Sequence, residues 1–569
     1  MTSQQPREPK NGAESVLLGL KRAGVDYLFA NAGTDFPPVI EALAALPADE
    51  IPEAVTVPHE TASVAMAHGY YLVTGKAQAV MVHVNVGLAN AAMGVINAAS
   101  DNVPVLVMSG RTPITETGRM GSRATPIQYG QEQYDQASLI RDVTKFNYEM
   151  RYPEQGDALV SRALSLATSA PEGPAYISLP REPLGAEIPE SARQPARLRP
   201  AATPASPDAD AIDRLAGWLQ EAERPVILCQ RGDVQGRLSA VLSTLAQTHG
   251  IGVAEPFVVR NVMPSDHPMF LGYDPAAAVA GADLIVVLDT DIPWIERFHA
   301  PAEEVRIVHI GPDPHFARMP VRNYKTDLAI ASDPVRAIEA LSAALKTDES
   351  RVQERGNRLA AEIAPRREKM SELIAGGADD PIGAEFLSRT LSDVMGDDAA
   401  VFCELGVIAG AMELKGPNRL FMNVHAGGLG WAFPAALGAQ LADRDRLCVA
   451  CMGDGSYIFS NPVACHQISE ALNLPVLVII KNNGMWNAVR RSVVNAYRDG
   501  AAAKANTMPL TSLEPAPDYL QVAAASRAFT ARVTRGSELR SALEAAIEAI
   551  RTERRQAVLD VRVAVSDSY

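Results

Sequence analysis

The feature that most limits the fold of this chain is a recurring pattern, in which a short apolar run leads into a Gly-, Asn- or Asp-containing turn and then a helical stretch. Apolar runs of strand length that alternate with helices are typical of a parallel sheet covered on both faces. The pattern predicts an α/β fold with three doubly wound parallel-sheet domains. The predicted strands are 27–30, 54–57, 79–84, 104–110, 174–180, 225–228, 282–288, 400–402, 447–452, 476–480 and 557–563.

Two stretches of different composition divide the chain. Residues 186–209 are rich in Pro, Ala and Arg, as a linker is, and residues 348–370 read as a charged connecting helix. The length of 569 residues suits about three domains. The sequence therefore predicts domains at 10–185, 205–345 and 375–565.

Composition excludes several classes of function. The formal net charge of −15 argues against a nucleic-acid binder, which needs clustered Lys and Arg. Five cysteines do not make a disulfide framework. The first ten residues lack the apolar core of a signal peptide, and no apolar run is long enough to span a bilayer. We expect a cytoplasmic protein that binds neither nucleic acid nor membrane.

One segment carries the clearest chemistry. The apolar strand 447–452 runs into Gly453, Asp454, Gly455 and Ser456, so the carboxylate lies at the strand's carboxyl end, where open α/β sheets bind ligands. The glycines allow close approach of a phosphate, and a following helix offers free N–H groups. The strand 476–480 brings Asn482-Asn483 to the same edge. A carboxylate, an amide oxygen and a backbone carbonyl facing a diphosphate suit Mg²⁺.

This Gly-Asp-Gly, followed after 26 residues by Asn-Asn, resembles the diphosphate signature of thiamine-diphosphate enzymes. The resemblance spans nearly the whole chain, in the order pyrimidine-binding, central and diphosphate-binding domain. Residues 427–438 and 482–490 resemble benzoylformate decarboxylase within the group that also holds acetolactate synthase and pyruvate oxidase. The resemblance implies thiamine diphosphate and Mg²⁺ as cofactors, with metal ligands Asp454, Asn483 and the Met485 carbonyl. It implies further cofactor contacts at Gly427, Gly428, Leu429, Gly453, Gly455 and Ser456.

Two of these cofactor residues also have simpler interpretations. Leu429 is either the bulky residue that bends the cofactor, as the resemblance implies, or an ordinary core leucine. Glu60 lies at a strand-to-helix junction, where a glutamate interacts favourably with the helix dipole. The resemblance assigns Glu60 to the cofactor's aminopyrimidine ring, whose activation leads to loss of the thiazolium C2 proton.

Four polar residues are candidates for the substrate pocket. Thr34 matches the pocket serine of benzoylformate decarboxylase, with a helix N-cap as the alternative. His267 matches a catalytic histidine of that enzyme, with a turn residue as the alternative. His83 lies one residue out of register with the other decarboxylase histidine, and a one-residue slip along a strand favours a core position. Arg111 either holds a substrate carboxylate or forms a domain-interface ion pair.

Two further motifs carry less information. Cys448 and Cys451 have metal-ligand spacing, but residues three apart in a strand point to opposite faces, so we expect no metal or redox role. The loop 230–236 follows a strand of the central domain, which in relatives holds FAD, an ADP moiety or nothing. The spacing does not decide among these three.

The leading functional prediction is a thiamine-diphosphate- and Mg²⁺-dependent lyase or carboligase acting on a 2-oxo acid or acyloin-like substrate, similar to acetolactate synthase. The alternatives are a benzoylformate-type decarboxylase, a 2-hydroxyacyl-CoA lyase or oxalyl-CoA decarboxylase, and a catalytically silent cofactor-binding protein. The resemblance also implies a homodimer or homotetramer with active sites between subunits.

Overall fold

The computed structural model of the protein describes residues 6–423 and 425–565. Its strands form three six-stranded sheets, and the strands pair in parallel throughout. Helices alternate with the strands along the chain. The predicted α/β class with three doubly wound parallel sheets is confirmed.

The first sheet belongs to the N-terminal third of the chain, and its order is β2-β1-β3-β4-β6-β5. The strand order reverses between β1 and β3, which makes this the switch point where ligands bind in such sheets. Its strands are β1 (Tyr27–Ala30), β2 (Glu53–Thr56), β3 (Gln78–Val82), β4 (Val105–Arg111), β5 (Phe146–Glu149) and β6 (Ala175–Pro180). Its helices are α1 (Gly12–Arg22), α2 (Pro37–Ala45), α3 (Glu60–Thr74), α4 (Val84–Ser100), α5 (Ile127–Gly130), α6 (Gly156–Ala167) and α7 (Arg181–Gly185).

The second sheet has the order β12-β11-β10-β7-β8-β9, which is the order of the dinucleotide-binding Rossmann fold. Its strands are β7 (Pro225–Cys229), β8 (Gly252–Ala254), β9 (Phe270–Gly272), β10 (Leu284–Leu288), β11 (Arg306–Gly311) and β12 (Leu328–Ala331). The accompanying helices are α8 (Ala209–Glu221), α9 (Arg237–His249), α10 (Pro275–Val279), α11 (Glu296–His299) and α12 (Pro334–Ala344), followed by the long charged helix α13 (Glu349–Gly376).

The third sheet repeats the order of the first, as β14-β13-β15-β16-β18-β17. Its strands are β13 (Ala400–Glu404), β14 (Leu420–Met422), β15 (Cys448–Gly453), β16 (Leu477–Asn482), β17 (Phe529–Val533) and β18 (Ala557–Arg562). Its segment of chain contains α14 (Ala384–Val394), α15 (Ala432–Ala442), α16 (Asp454–Phe459), α17 (Pro462–Ala471), α18 (Asn487–Ala496), α19 (Tyr519–Ala524) and α20 (Gly536–Glu553).

The chain forms two compact units that cut across this linear order. The described residues of the first unit are 6–203, 425–444 and 460–468, and those of the second are 204–423, 445–459 and 469–565. The first unit therefore contains α15 together with the first sheet. The second contains the other two sheets.

Helix α3 is buried along most of its length because it lies between the first sheet and α15. Two glycines allow the close approach of α3 and α15. A Cβ on Gly69 would overlap the backbone oxygen of Ala435, and one on Gly438 would overlap that of Met66. The uniformly apolar sequence of α15 agrees with this burial, since all but the last of its residues are buried.

In the part of the chain that the structure describes, no helix combines the length and the apolar character needed to cross a membrane.

Candidate active site

Glu60 is the first residue of α3 and lies buried beside the carboxyl end of β1. Its Oε1 accepts a hydrogen bond from Asn31 Nδ2 at 2.9 Å, and its Oε2 accepts one from Asn90 Nδ2 at 3.2 Å. Gly87 leaves room for the carboxylate, because a Cβ there would lie 3.2 Å from Oε1. The two amides fix the carboxylate inside the first unit, which goes beyond the simple helix-dipole role.

His83 lies directly after β3, at the switch point of the first sheet. Because β3 ends at Val82, His83 is the N-cap residue of α4 and the alternation of strand faces does not apply to it. Its side chain is 18% exposed, so it is not a core histidine. His83 Nδ1 pairs with Asp35 Oδ1, and Nε2 lies 3.3 Å from Gln131 Nε2. The hydrogen bond with Asp35 raises the pKa of His83 above its ordinary value of 6.5.

Asp35 is the site residue that the sequence analysis missed. Its carboxylate is buried, accepts a hydrogen bond from the Val84 N–H at 3.2 Å and packs so closely against Gly110 that a Cβ there would overlap it. The signal was present in the sequence: an acidic residue follows β1, and a histidine follows β3. The ends of these neighbouring strands form the switch point, so the pair could have been predicted.

Thr34 lies in the same loop as Asp35, and it is exposed. The alternative of a helix N-cap does not hold, because Phe36 is the N-cap residue of α2. Arg111 is occupied by its own neighbours: its guanidinium pairs with Glu132 and Glu149 and donates to the Gln133 carbonyl at 3.0 Å. These contacts favour the ion-pair alternative, although all partners belong to one unit rather than to a domain interface.

In the second unit, Asp454 follows β15 and begins α16. The Asp454 carboxylate accepts hydrogen bonds from the Gly455 N–H at 3.0 Å and from the Gly484 N–H at 2.8 Å. The second bond joins the end of β15 to the loop after β16. Burial raises the pKa of Asp454, because the charged form of its carboxylate loses solvation.

The two asparagines at the end of β16, Asn482 in its last position and Asn483 directly after it, differ in their contacts. Asn482 is committed to the fold, since it donates to Asp560 Oδ1 at 2.8 Å and accepts from Arg562 at 2.7 Å. Asn483 Oδ1 accepts only the Met485 N–H, at 3.1 Å, among the bonds described. The loop is also held by residues 511–513, because the Trp486 N–H donates to the Thr511 carbonyl at 2.7 Å.

This arrangement fits a magnesium-bound diphosphate. Asp454, Asn483 and the Met485 carbonyl provide the oxygen ligands that Mg²⁺ prefers. Ser456 Oγ is buried without a hydrogen-bond partner near the start of α16, so this hydroxyl can bond a polar ligand. Gly455 has no room for a side chain, because a Cβ would overlap the Trp486 indole. The backbone groups of residues 453–456, which end β15 and begin α16, are therefore the atoms that would contact a phosphate.

Leu429 and His267 lie in different units. Leu429 is partly exposed in the first unit, so it is not an ordinary core leucine, and Gly427 before it has a left-handed backbone with φ of +66°. His267, in the second unit, accepts a hydrogen bond from the Met269 N–H at 3.2 Å within a turn of the central sheet. Burial lowers the pKa of His267. These contacts agree with the turn-residue alternative.

The switch point of the central sheet is bridged by side chains of the chain itself. Arg231, after β7, pairs with Asp291, after β10, at 2.8 Å. Arg322 donates to the carbonyls of Thr290 and Asp291 at 3.0 and 2.8 Å.

Cys448 and Cys451 form no disulfide in the part of the chain that the structure describes, and both are buried inside β15. Among residues 6–423 and 425–565, no group of three or more His, Cys, Asp or Glu side chains is arranged to hold a metal ion.

Three family models match the chain in succession. They are the thiamine pyrophosphate enzyme N-terminal TPP-binding domain over residues 10–139, the central domain over 212–341 and the C-terminal TPP-binding domain over 403–561. Thiamine pyrophosphate is another name for thiamine diphosphate.

Curated relatives and solved structures cover nearly the whole chain. The probable acetolactate synthase large subunit of Methanocaldococcus jannaschii is 26% identical over 94% of this chain and 90% of its own. Acetolactate synthase 3 of Brassica napus is 25% identical over 95% of this chain and 82% of its own.

The fold of two decarboxylases is similar. The thiamine diphosphate-dependent 4-hydroxybenzoylformate decarboxylase of Rhodococcus jostii RHA1 superposes with a TM-score of 0.78 at 23% identity, covering 98% of this chain and 100% of that one. Benzoylformate decarboxylase of Polynucleobacter necessarius gives a TM-score of 0.79 at 20% identity, with 98% and 99% covered. With three sheets in the matching order of domains and all three family models present, the chain belongs to the thiamine pyrophosphate enzyme family.

Proposed function

We propose that this protein is a thiamine-diphosphate- and Mg²⁺-dependent enzyme that decarboxylates a 2-oxo acid and releases or transfers the remaining acyl group. The observation that carries the proposal is the hydrogen bond from the Gly484 N–H to Asp454, which joins the two strand ends expected to hold the metal. When bound, thiamine diphosphate supplies the carbon nucleophile and the electron sink for cleaving the bond beside a carbonyl.

In this proposal the second unit anchors the cofactor through its charged end. Asp454, Asn483 and the Met485 carbonyl bind Mg²⁺, and the turn from Gly453 to Ser456 binds the diphosphate. Support comes from the oxygen character of the donors and from the unpartnered, buried Ser456 Oγ. The contacts of Asn482 with Asp560 and Arg562 hold the loop in place for Asn483.

The first unit supplies the proton-transferring groups. We assign Glu60 to the aminopyrimidine ring, where its carboxyl group holds or shares a proton with a ring nitrogen. Asn31 and Asn90 hold the Glu60 carboxylate in one orientation. Little further conformational entropy is therefore lost when the carboxylate bonds the ring. The burial of Glu60 limits competing proton exchange with water.

The Asp35–His83 pair favours decarboxylation that ends in protonation. After CO₂ leaves, the carbon that carried it needs a proton if an aldehyde is to be released. His83 is partly exposed at the switch point, and its hydrogen bond with Asp35 keeps it protonated to higher pH than usual. A histidine held in this way is suited to act as a general acid. We propose that Thr34, which is exposed in the same loop, contacts the substrate.

A second candidate is the acetolactate type of carboligation, in which the acyl group passes to a second 2-oxo acid. Relatives named acetolactate synthase, which match over 94 to 95% of this chain, favour it. Decarboxylation is common to both candidates, and only the acceptor of the acyl group differs.

The family resemblance also suggests how the active site is completed. We propose a homodimer or homotetramer in which Glu60 of one subunit and the metal-binding residues of another reach the same cofactor. Asp454 and Glu60 would then both be required, each from a different chain.

Product analysis tests the proposed reaction. The holoprotein is incubated with a panel of aliphatic and aromatic 2-oxo acids, and the products are identified by mass. Aldehyde and CO₂ in equal amounts support the decarboxylase, whereas a condensation product of two 2-oxo acids supports carboligation. Failure of protein that has bound the cofactor to release CO₂ from every acid in the panel would contradict the proposal.

A further inference from the structure

Asn97, a residue of α4, forms two hydrogen bonds with one glycine of the segment that precedes α15. Its Nδ2 donates to the Gly428 carbonyl at 2.8 Å, and its Oδ1 accepts the Gly428 N–H at 3.2 Å. The side chain of Asn97 is buried, so both bonds are shielded from water. An amide that bonds both backbone polar groups of one residue fixes the position and the orientation of that residue.

The other end of this segment is held by α3. Trp431 Nε1 donates to His68 Nδ1 at 3.2 Å, and the two rings pack edge to face. His68 is fully buried, and its Nε2 lies 3.4 Å from Asp101 at the C-terminal end of α4. Gly428 and Trp431 are thus fixed from two different helices of the same unit.

The segment between these points has little stiffness of its own. Gly427 and Gly430 both have left-handed backbones, with φ of +66° and +89°. Glycine gives a chain access to many conformations, so Leu429 depends on outside contacts for a single position. The space beside Gly428 is also full, because a Cβ there would lie 2.8 Å from Met93 and would overlap Asn97.

We propose that Asn97 is a positioning residue for Leu429, and that it acts by fixing the Gly428 peptide groups. The inference rests on the proposed function and on the role that the family resemblance implies for Leu429, which is to lie under the cofactor and hold its two rings in a bent arrangement. Asn90, two helical turns earlier on α4, holds Glu60. One helix therefore orders the carboxyl group for the aminopyrimidine ring and the leucine that supports the cofactor.

The test compares Asn97→Ala with the wild type in two measurements. Affinity for thiamine diphosphate with Mg²⁺ is measured by calorimetry, and exchange of the thiazolium C2 proton is measured by NMR in D₂O. We expect the affinity to change by less than about threefold, because the metal-binding residues are untouched, while exchange slows about 10- to 100-fold through misplacement of the rings. Asn357→Ala, in α13, is the matched control and should change neither value.

A double-mutant cycle separates positioning of Leu429 from a general structural effect. Leu429→Ala should itself slow the C2 proton exchange. Adding Asn97→Ala to that variant should slow the exchange by less than about twofold more, because the leucine that Asn97 positions has already been removed. If Asn97→Ala slowed the exchange by the same factor in the wild type and in Leu429→Ala, the proposal would be overturned. Asn97→Asp keeps the acceptor for the Gly428 N–H but sets a carboxylate oxygen against the Gly428 carbonyl in place of the donor, so it should slow the exchange at least as much as the alanine variant and provides a second measurement if that variant does not fold.

Different results would contradict the proposed function and the role of Asn97. Wild-type protein that does not bind thiamine diphosphate would contradict the proposed function. Wild-type protein that binds the cofactor and exchanges its proton, together with an Asn97→Ala variant of wild-type exchange rate, would contradict only the role of Asn97.

Discussion

At the scale of single residues, the first unit contains a carboxylate held by two amides and a histidine held by a carboxylate. Glu60 accepts from Asn31 and Asn90, and His83 pairs with Asp35. The amides orient Glu60 without adding a charge. Asp35 does add a charge, and for that reason it changes the protonation of its partner.

Replacement of the Glu60 carboxyl group tests its proton-transfer role. Glu60→Gln keeps the size of the side chain but cannot carry the acid proton, so C2 proton exchange should slow by about 10²- to 10⁴-fold. Cofactor affinity should fall by less than about tenfold, because the diphosphate anchor remains. NMR exchange and calorimetry give the two values. Unchanged exchange would remove Glu60 from the mechanism, and Glu41→Gln on the exposed side of α2 is the control.

The Asp35–His83 pair predicts a pH dependence. If His83 is the general acid, activity is present below its raised pKa and is lost as the pH rises through that value, which lies above 6.5. Asp35→Asn removes the partner charge, so the alkaline limb of kcat/KM should move to lower pH by about one unit or more.

The pH profiles of wild type, Asp35→Asn and the exposed-site control Asp213→Asn provide the measurement. The control should keep the wild-type limb. An Asp35→Asn profile that superposes on the wild type would show that the limb belongs to another group.

Some of these residues could be proposed as site residues from the sequence. Either their partners are close in the chain, or the residues themselves lie at the end of a predicted strand. Asp454 contacts the loop after β16, and this proximity could be predicted because both follow apolar strands of one parallel sheet. Asp35 was missed because its partner is 48 positions away. The position of His83 was misjudged because β3 ends at Val82, and a single residue at a strand end decides whether the alternation of faces applies.

At the scale of elements, α3 packs against α15. Glu60 begins the first of these helices, and the Gly428–Trp431 segment directly precedes the second. The strands and the start of α3 were predictable from apolar runs and turns. The packing partner of α3 could not be predicted, because an apolar helix such as α15 can pack against several neighbours and its sequence does not specify which one. The glycines Gly69 and Gly438 become informative only once the two helices are seen to cross.

A methyl group added at this crossing tests its importance. Gly69→Ala and Gly438→Ala would each place a Cβ against a backbone oxygen, and neither helix can move without disturbing its other neighbours. Each should lower the free energy of unfolding by about 1–3 kcal/mol. Gly217→Ala, within α8, has no atom within 4 Å of the added Cβ and should be neutral or stabilising by up to about 1 kcal/mol. Denaturant unfolding measures all three, and equal stability of the three variants would contradict the close packing.

At the scale of the whole molecule, the first and third sheets share one strand order, whereas the central sheet has another. The proposed proton-transferring groups lie at the switch point of the first sheet, and the proposed metal ligands lie at the carboxyl ends of strands in the third. The number and type of the sheets could be predicted from the sequence. Which strands neighbour each other could not, since apolar runs do not specify their order in a sheet.

If the active site takes groups from two subunits, mixing should restore what each single change removes. Glu60→Gln and Asp454→Ala homomers should each be nearly inactive. Mixed dimers that carry one chain of each type would hold one site with both changes and one site with neither, so activity of up to about half the wild-type value per dimer should return after exchange of subunits. Absence of recovery in mixed dimers confirmed by mass would contradict a shared site.

Calorimetric titration with thiamine diphosphate tests whether Asp454 anchors the cofactor through Mg²⁺. Wild-type protein should bind thiamine diphosphate in the presence of Mg²⁺, and chelation of the metal or Asp454→Ala should each weaken binding by at least about 100-fold. Asp445→Ala, at an exposed carboxylate nine positions earlier, should bind as the wild type does. Equal affinity of wild type and Asp454→Ala, or binding indifferent to Mg²⁺, would contradict the account.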